Sequence, residues 1–163
     1  ADICARATAP IGATFTALCL LTGSLWGEPM WGTWWVWDAR LTSMLILLFL
    51  YLGYIALVNA FDDPERGSKA GSALAIVGVV NVPIVKFSVD WWNTLHQGST
   101  ITKFDKPSIA TEMLWPLLLN IFGFALFIAL VTTMRLKNEI IRREMHRPWV
   151  QMLVKQKETN DAV

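Results

Sequence analysis

Histidine is scarce in this chain: His96 and His146 are the only two among 163 residues. Cysteine is as scarce. Cys4 and Cys19 form neither C-x-x-C nor C-x-x-C-H, so neither a redox pair nor a C-x-x-C-H attachment site is indicated. They read as two small thiols in or beside an apolar run. No Cys, carboxylate or second His stands at ligand spacing from His96, which argues against a metal-only site. There is no G-x-x-x-x-G-K-[ST], so any ATP dependence belongs to a partner. A net charge of +1 points neither to nucleic acid nor to an acidic substrate. The sequence opens on Ala1 with no charged n-region and no A-x-A site, so no signal peptide is expected. The expectation is instead that an N-terminal part of the natural protein is missing.

What the chain has in excess is apolar length. It is 54% hydrophobic with a mean hydropathy of +0.42, against roughly 45–50% apolar residues in soluble domains. The excess falls in four runs, at about 7–25, 41–61, 67–85 and 113–134. A span needs about 17–25 mainly apolar residues. The runs are apolar all round rather than amphipathic, so the expected class is all-α, a polytopic membrane helix bundle with four transmembrane helices. Asp38 stands where its carboxylate can cap the second run. Pro64, inside the polar turn 62–67, bars helix continuation. Pro107 is read as the start of a new element, and Pro116 as a first-turn proline of the fourth helix. Residues 1–150 are read as one membrane domain with two loops on one face, 26–40 and 86–112, and 151–163 as a polar tail.

Lys and Arg set the orientation. Ten of them, including Arg6, Arg66, Lys69, Arg135 and Lys137, fall on the side of both termini; Arg40, Lys86, Lys103 and Lys106 fall on the other. The positive-inside rule makes the first side cytoplasmic and both loops exoplasmic. The basic stretch 135–147 reads as a helix extension lying against anionic lipid, with a frayed end beyond Lys155. His146 among these charges reads as a surface residue, and Glu112 as a helix-start charge.

Nine Trp are present, and eight fall on the exoplasmic face. An aromatic belt predicts Trp at both interfaces and does not account for five, Trp26, Trp31, Trp34, Trp35 and Trp37, in one loop. Such indoles must bury against lipid, one another or a flat apolar ligand. Asp38 and Arg40 bring opposite charges to that surface, either to pair with each other or to meet polar groups of a ligand. A large planar cofactor with propionates suits the set, with indoles for the ring and Arg40 for a carboxylate; an interfacial re-entrant loop capped by Asp38 suits it equally. The second loop carries Trp91, Trp92 and His96, the one exoplasmic histidine. Neutral imidazole is a common ligand for haem iron, although a lone loop histidine is also an ordinary hydrogen-bonding residue.

The pattern Trp31-Gly-x-x-Trp35-x-Trp37-Asp38-x-Arg40-Leu41-Thr42 resembles the tryptophan-rich WWD signature of the haem-handling protein family. Together with Trp91-Trp92-Asn93-Thr94-Leu95-His96-Gln97-Gly98 it resembles the haem exporter protein C (CcmC) branch, part of the cytochrome c maturation system. The resemblance covers essentially the whole chain. It implies six spans with both termini cytoplasmic, in the bacterial inner membrane, and a non-covalent haem b held on the periplasmic face between two histidines. His96 matches the histidine after the loop; the one before it has no counterpart, and four spans stand where six are implied. The expectation is that the first two spans, and the first ligand with them, are absent.

By the same resemblance Trp31, Trp34, Trp35, Trp37, Asp38, Arg40, Trp91 and Trp92 line the haem and His96 binds its iron. The role implied is transfer without turnover, so no enzyme is expected. The implied partners are the periplasmic haem chaperone CcmE, which receives the haem, the one-span protein CcmD, the CcmA–CcmB ATP-hydrolysing transporter and the lipid bilayer. Three alternatives stand beside it. A transmembrane haem conduit needs polar residues deep in its helices, where this chain offers Asn81 and Asn120. A membrane enzyme such as a quinone oxidoreductase needs an acid–base pair, for which Asp38 with His96 is the one candidate. A structural assembly subunit binds no haem.

Overall fold

Each apolar run forms one helix in the computed structural model, which describes residues 2–92, 94–98, 109–152 and 156. They are α1 (Asp2–Trp31), α2 (Ala39–Asn59), α3 (Pro64–Trp91) and α4 (Thr111–Arg143). All four are long and apolar enough to cross a membrane, and no strand occurs among the described residues. The chain is therefore an all-α, multi-pass membrane protein. Asn93, Lys103, Lys106 and Pro107 of the second loop, and Lys155 and Lys157 of the tail, lie outside the described residues.

Three helices run past the apolar runs that announce them. α1 continues through Pro29 to Trp31, so Trp26 and Trp31 belong to a helix, not to a loop. Trp26 and Trp31 meet edge-to-face with centroids 5.3 Å apart, which secures the last turns. Gly32 then stops the helix: its φ is +73°, and its N–H closes on the Glu28 carbonyl at 2.8 Å. A left-handed residue at a helix end favours glycine, which has no Cβ to clash. α3 likewise reaches Trp91 through Pro83, so the second loop begins later than residue 86. α4 starts at Thr111, which puts Pro116 one turn deeper than a first-turn proline. The cap of α2 is as expected, and α3 has a cap of its own. Asp38 accepts from the Leu41 N–H at 2.8 Å, and Asp63 accepts from the Glu65 N–H at 2.9 Å with Pro64 at the helix start.

α1 with α2, and α2 with α3, pack antiparallel. Arg6 reaches the Val58 carbonyl while Gly12 faces Tyr51. Ser43 accepts a bond from Asn81 while Val58 faces Gly67 and Gly71. The small core, Ala9, Tyr54 and Val58 with Ala5, Tyr51, Ile55 and Leu74 around it, lies between α1, α2 and α3. Small residues let these backbones close without lipid between them. A Cβ on Gly67 would stand 2.8 Å from the Val58 carbonyl oxygen, and one on Gly71 would stand 2.4 Å from a Val58 methyl. Asn81, which a conduit would expose to its cargo, is buried and donates to the Ser43 carbonyl at 3.0 Å, so it ties α3 to α2. Asn120 is exposed and donates to the Pro116 carbonyl of its own helix at 2.8 Å.

α4 is held differently. None of its residues is buried. It touches α1 through an edge-to-face pair, Phe15 and Phe124, at 5.9 Å, and through Arg135, whose Nε donates to the Ala7 carbonyl at 2.9 Å. At its far end Arg143 pairs with Asp2 of α1 and with Glu139, and Arg142 also pairs with Glu139. The basic stretch is thus partly neutralised within the chain. The helix extension expected here does form, to Arg143, and Asp2 and Glu139 are counter-ions that a count of Lys and Arg leaves out.

Candidate functional site

Because the helices alternate, the C-terminal ends of α1 and α3 and the N-terminal ends of α2 and α4 share one end of the bundle. Residues 32–38 connect α1 to α2 there. The segment is fixed by its own polar groups: the Thr33 hydroxyl donates to the Trp35 carbonyl at 3.1 Å, and the Asp38 N–H donates to the Val36 carbonyl at 2.8 Å.

Asp38 is the centre of this end, and only 5% of its side chain is exposed. One oxygen, Oδ1, caps α2. The other, Oδ2, accepts from His96 Nδ1 at 2.7 Å and from the Thr94 hydroxyl. Burial alone pushes the Asp38 carboxyl up; the hydrogen bonds from Thr94, the Leu41 amide and His96 outweigh it and hold the group below the usual carboxylate value. An ionised carboxylate only accepts. The proton on the Asp38–His96 bond therefore sits on Nδ1, so that the neutral form of the imidazole has its lone pair on Nε2. This tautomer follows from the hydrogen-bond network. A histidine whose Nδ1–H is held by a carboxylate is the arrangement by which metal-binding imidazoles are oriented and made more basic.

At this end of the bundle, aromatic rings form three separate groups, one of them on His96. Trp31 meets the imidazole edge-on at 4.8 Å and is backed by Trp26. Trp35 and Trp37 form a second edge-to-face pair at 5.4 Å. Phe87, Trp91 and Trp92 form a third string at the end of α3, with Phe87 and Trp91 stacked at 5.5 Å. Trp34 and Trp37 are exposed, Trp37 by 75%. Of the residues expected to form one site, the structure thus joins Asp38, His96 and Trp31 directly. It places Trp34, Trp35, Trp37 and Arg40 in the connecting segment and the first turn of α2, and puts Trp91 and Trp92 in a string of their own.

Arg40 does not pair with Asp38, whose carboxylate is taken by Leu41, Thr94 and His96. Instead Arg40 Nε is buried with no hydrogen-bond partner, as is Trp35 Nε1, and these are the two such side-chain atoms among the described residues. A buried donor left unmade costs about 1–3 kcal/mol. Two orphaned donors at the end that also carries an oriented imidazole fit a planar ligand bearing acceptor groups such as carboxylates. Sequence reasoning placed Thr94, Trp26 and Phe87 at this end without naming them as site residues. Thr94 had one local signal, a hydroxyl two residues before His96, and that hydroxyl accepts from the His96 N–H at 3.2 Å.

Fold and site together define a polytopic membrane protein with an oriented histidine and an indole-rich surface at one end of its bundle. Over residues 1–151 the chain matches the family model described as heme exporter protein C. It is 58% identical over 147 residues to heme exporter protein C of Haemophilus influenzae, covering 90% of this chain and 60% of that protein. The Escherichia coli strain K12 protein of the same name is 56% identical over 154 residues, covering 94% and 62%. That of Paracoccus denitrificans is 41% identical over 144 residues, covering 88% and 60%. The chain belongs to the heme exporter protein C family, a family of haem-handling membrane proteins. It spans about three-fifths of the length of the curated relatives it matches.

Proposed function

We propose that this protein holds haem b non-covalently at the indole-rich end of its bundle and hands it to the periplasmic haem chaperone CcmE, without chemical turnover. The observation that carries the reading is the Asp38–His96 bond, which fixes Nδ1 as the protonated nitrogen and leaves Nε2 as the iron ligand. Trp31 flanks that ligand, and Arg40 Nε with Trp35 Nε1 supplies donors for the propionates. Trp34 and Trp37 face outward and give the chaperone a surface to dock on. Surface presentation is favoured over a conduit because buried Asn81 is committed to Ser43. On this reading the indole-rich end is periplasmic in the bacterial inner membrane, as the Lys and Arg distribution implies. CcmD and the CcmA–CcmB transporter are its membrane partners in cytochrome c maturation.

The test is haem transfer in lipid nanodiscs. Haemin added to the protein should produce a Soret band that moves to CcmE when the chaperone is mixed in. The double variant Trp34→Ala/Trp37→Ala should still bind haemin but dock less well, by about 2 kcal/mol, or roughly thirtyfold in the chaperone concentration needed. Absence of a Soret band with haemin and chaperone both present would leave a structural subunit as the better account.

A further inference from the structure

We infer that Thr94 is a positioning residue for the haem ligand, acting through the carboxylate it shares with His96; the inference rests on the haem-holding reading above. Three contacts argue for it. The Thr94 hydroxyl donates to Asp38 Oδ2, the same oxygen that receives His96 Nδ1. The same hydroxyl oxygen accepts from the His96 backbone N–H at 3.2 Å and lies 3.2 Å from the imidazole Nδ1. Thr94 thus touches the anchor, the backbone and the ring of the ligand with one atom. Its single hydroxyl proton goes to Asp38, the acceptor-only partner.

Two consequences separate this role from a merely structural one. A second donor on Oδ2 draws carboxylate charge away from His96. Thr94 therefore limits how strongly Asp38 pulls the Nδ1 proton, and so limits how electron-rich Nε2 becomes. It also fixes the turn that aims the ring. Removing the hydroxyl while keeping the β-branched shape, as in Thr94→Val, acts on both at once. The charge effect makes the ligand a stronger donor, which favours ferric over ferrous iron and lowers the reduction potential of bound haem. The geometric effect weakens binding of haem in either state. Outer-shell partners of metal-binding histidines typically contribute 10–100-fold in affinity.

The experiment compares the parent protein with Thr94→Val and Thr94→Ser in nanodiscs, loaded with haemin and read by affinity and by redox titration. Thr94→Val should bind haemin about tenfold or more weakly. Its potential should fall, a tenfold gain in ferric preference being about 59 mV for a one-electron couple. Thr94→Ser, which restores the hydroxyl, should recover both. An unchanged potential in Thr94→Val, or a shift that Thr94→Ser does not reverse, would overturn the positioning role while leaving haem binding intact. A parent protein that takes up no haemin would instead overturn the haem-holding reading, and this inference with it.

Discussion

Replacing His96 with alanine is expected to remove the proposed iron ligand while leaving the bundle folded. His96 lies outside the helices and its ring packs on Trp31 alone among the described aromatic residues. The cap of α2 survives, because Leu41 bonds the other oxygen of Asp38. The loss should therefore appear in the haem and not in the fold. Haemin affinity should fall on the order of a hundredfold or more, beyond what removal of an outer-shell group costs. Helicity and unfolding temperature in nanodiscs should match the parent. Equal haemin affinity in the variant would place the ligand elsewhere and withdraw His96 from the site.

The second large effect is at Asp38, where two jobs can be pulled apart. Asp38→Ala removes both. It should cost about 0.5–2 kcal/mol through the lost cap and about 10–100-fold in haemin affinity through the released imidazole. Asp38→Asn is more informative. Asparagine caps helices about as well as aspartate, so stability should hold. With the amide oxygen on Leu41, however, its NH₂ group faces His96. That group donates where the carboxylate accepted, so Nδ1 must become the acceptor and the proton moves to Nε2, the nitrogen proposed to bind iron. Asp38→Asn should thus bind haemin as weakly as Asp38→Ala while unfolding like the parent. Parent-like haemin binding by Asp38→Asn would show that the tautomer does not matter.

Much of this was legible from residue order. Four apolar runs with polar breaks gave four helices, Asp38 marked the start of α2, and Pro64 marked the break after it, because these signals are local. The helix ends were less legible. Hydropathy falls at Trp26 and at Lys86, but a helix ends where its backbone does, and α1 runs on to a glycine that can turn left-handed. Arg40, two positions from Asp38, was open both to pairing with it and to meeting polar groups of a ligand. The structure gives that carboxylate to residues more than fifty positions away, Thr94 and His96, and leaves Arg40 Nε buried and unpaired. No spacing rule reaches that far. Only the shared end of an alternating bundle hinted at it. The single Trp surface expected from the two loops resolves into three ring groups because Trp91 and Trp92 follow the last turn of α3, while Trp35 and Trp37 follow the connecting segment.

The way α4 is held has a mechanical consequence. With 33 residues it is roughly 50 Å long at 1.5 Å per residue, well beyond a hydrocarbon core of about 30 Å. Its apolar run, 113–134, is about 33 Å long by the same rise and close to that core, so a thinner bilayer leaves a mismatch that tilt relieves. The helix is pinned at its Asp2–Glu139–Arg143 end, touches α1 again through Arg135 and Phe124, and has no buried residue, so tilt moves chiefly the end that precedes Phe124. That end begins at Thr111, and the chain leads back from it to His96. A protein of this build is therefore expected to hold haemin differently in short-chain and long-chain lipid. Identical haemin affinity across lipids of graded acyl length would show bilayer thickness and the histidine segment to be mechanically independent.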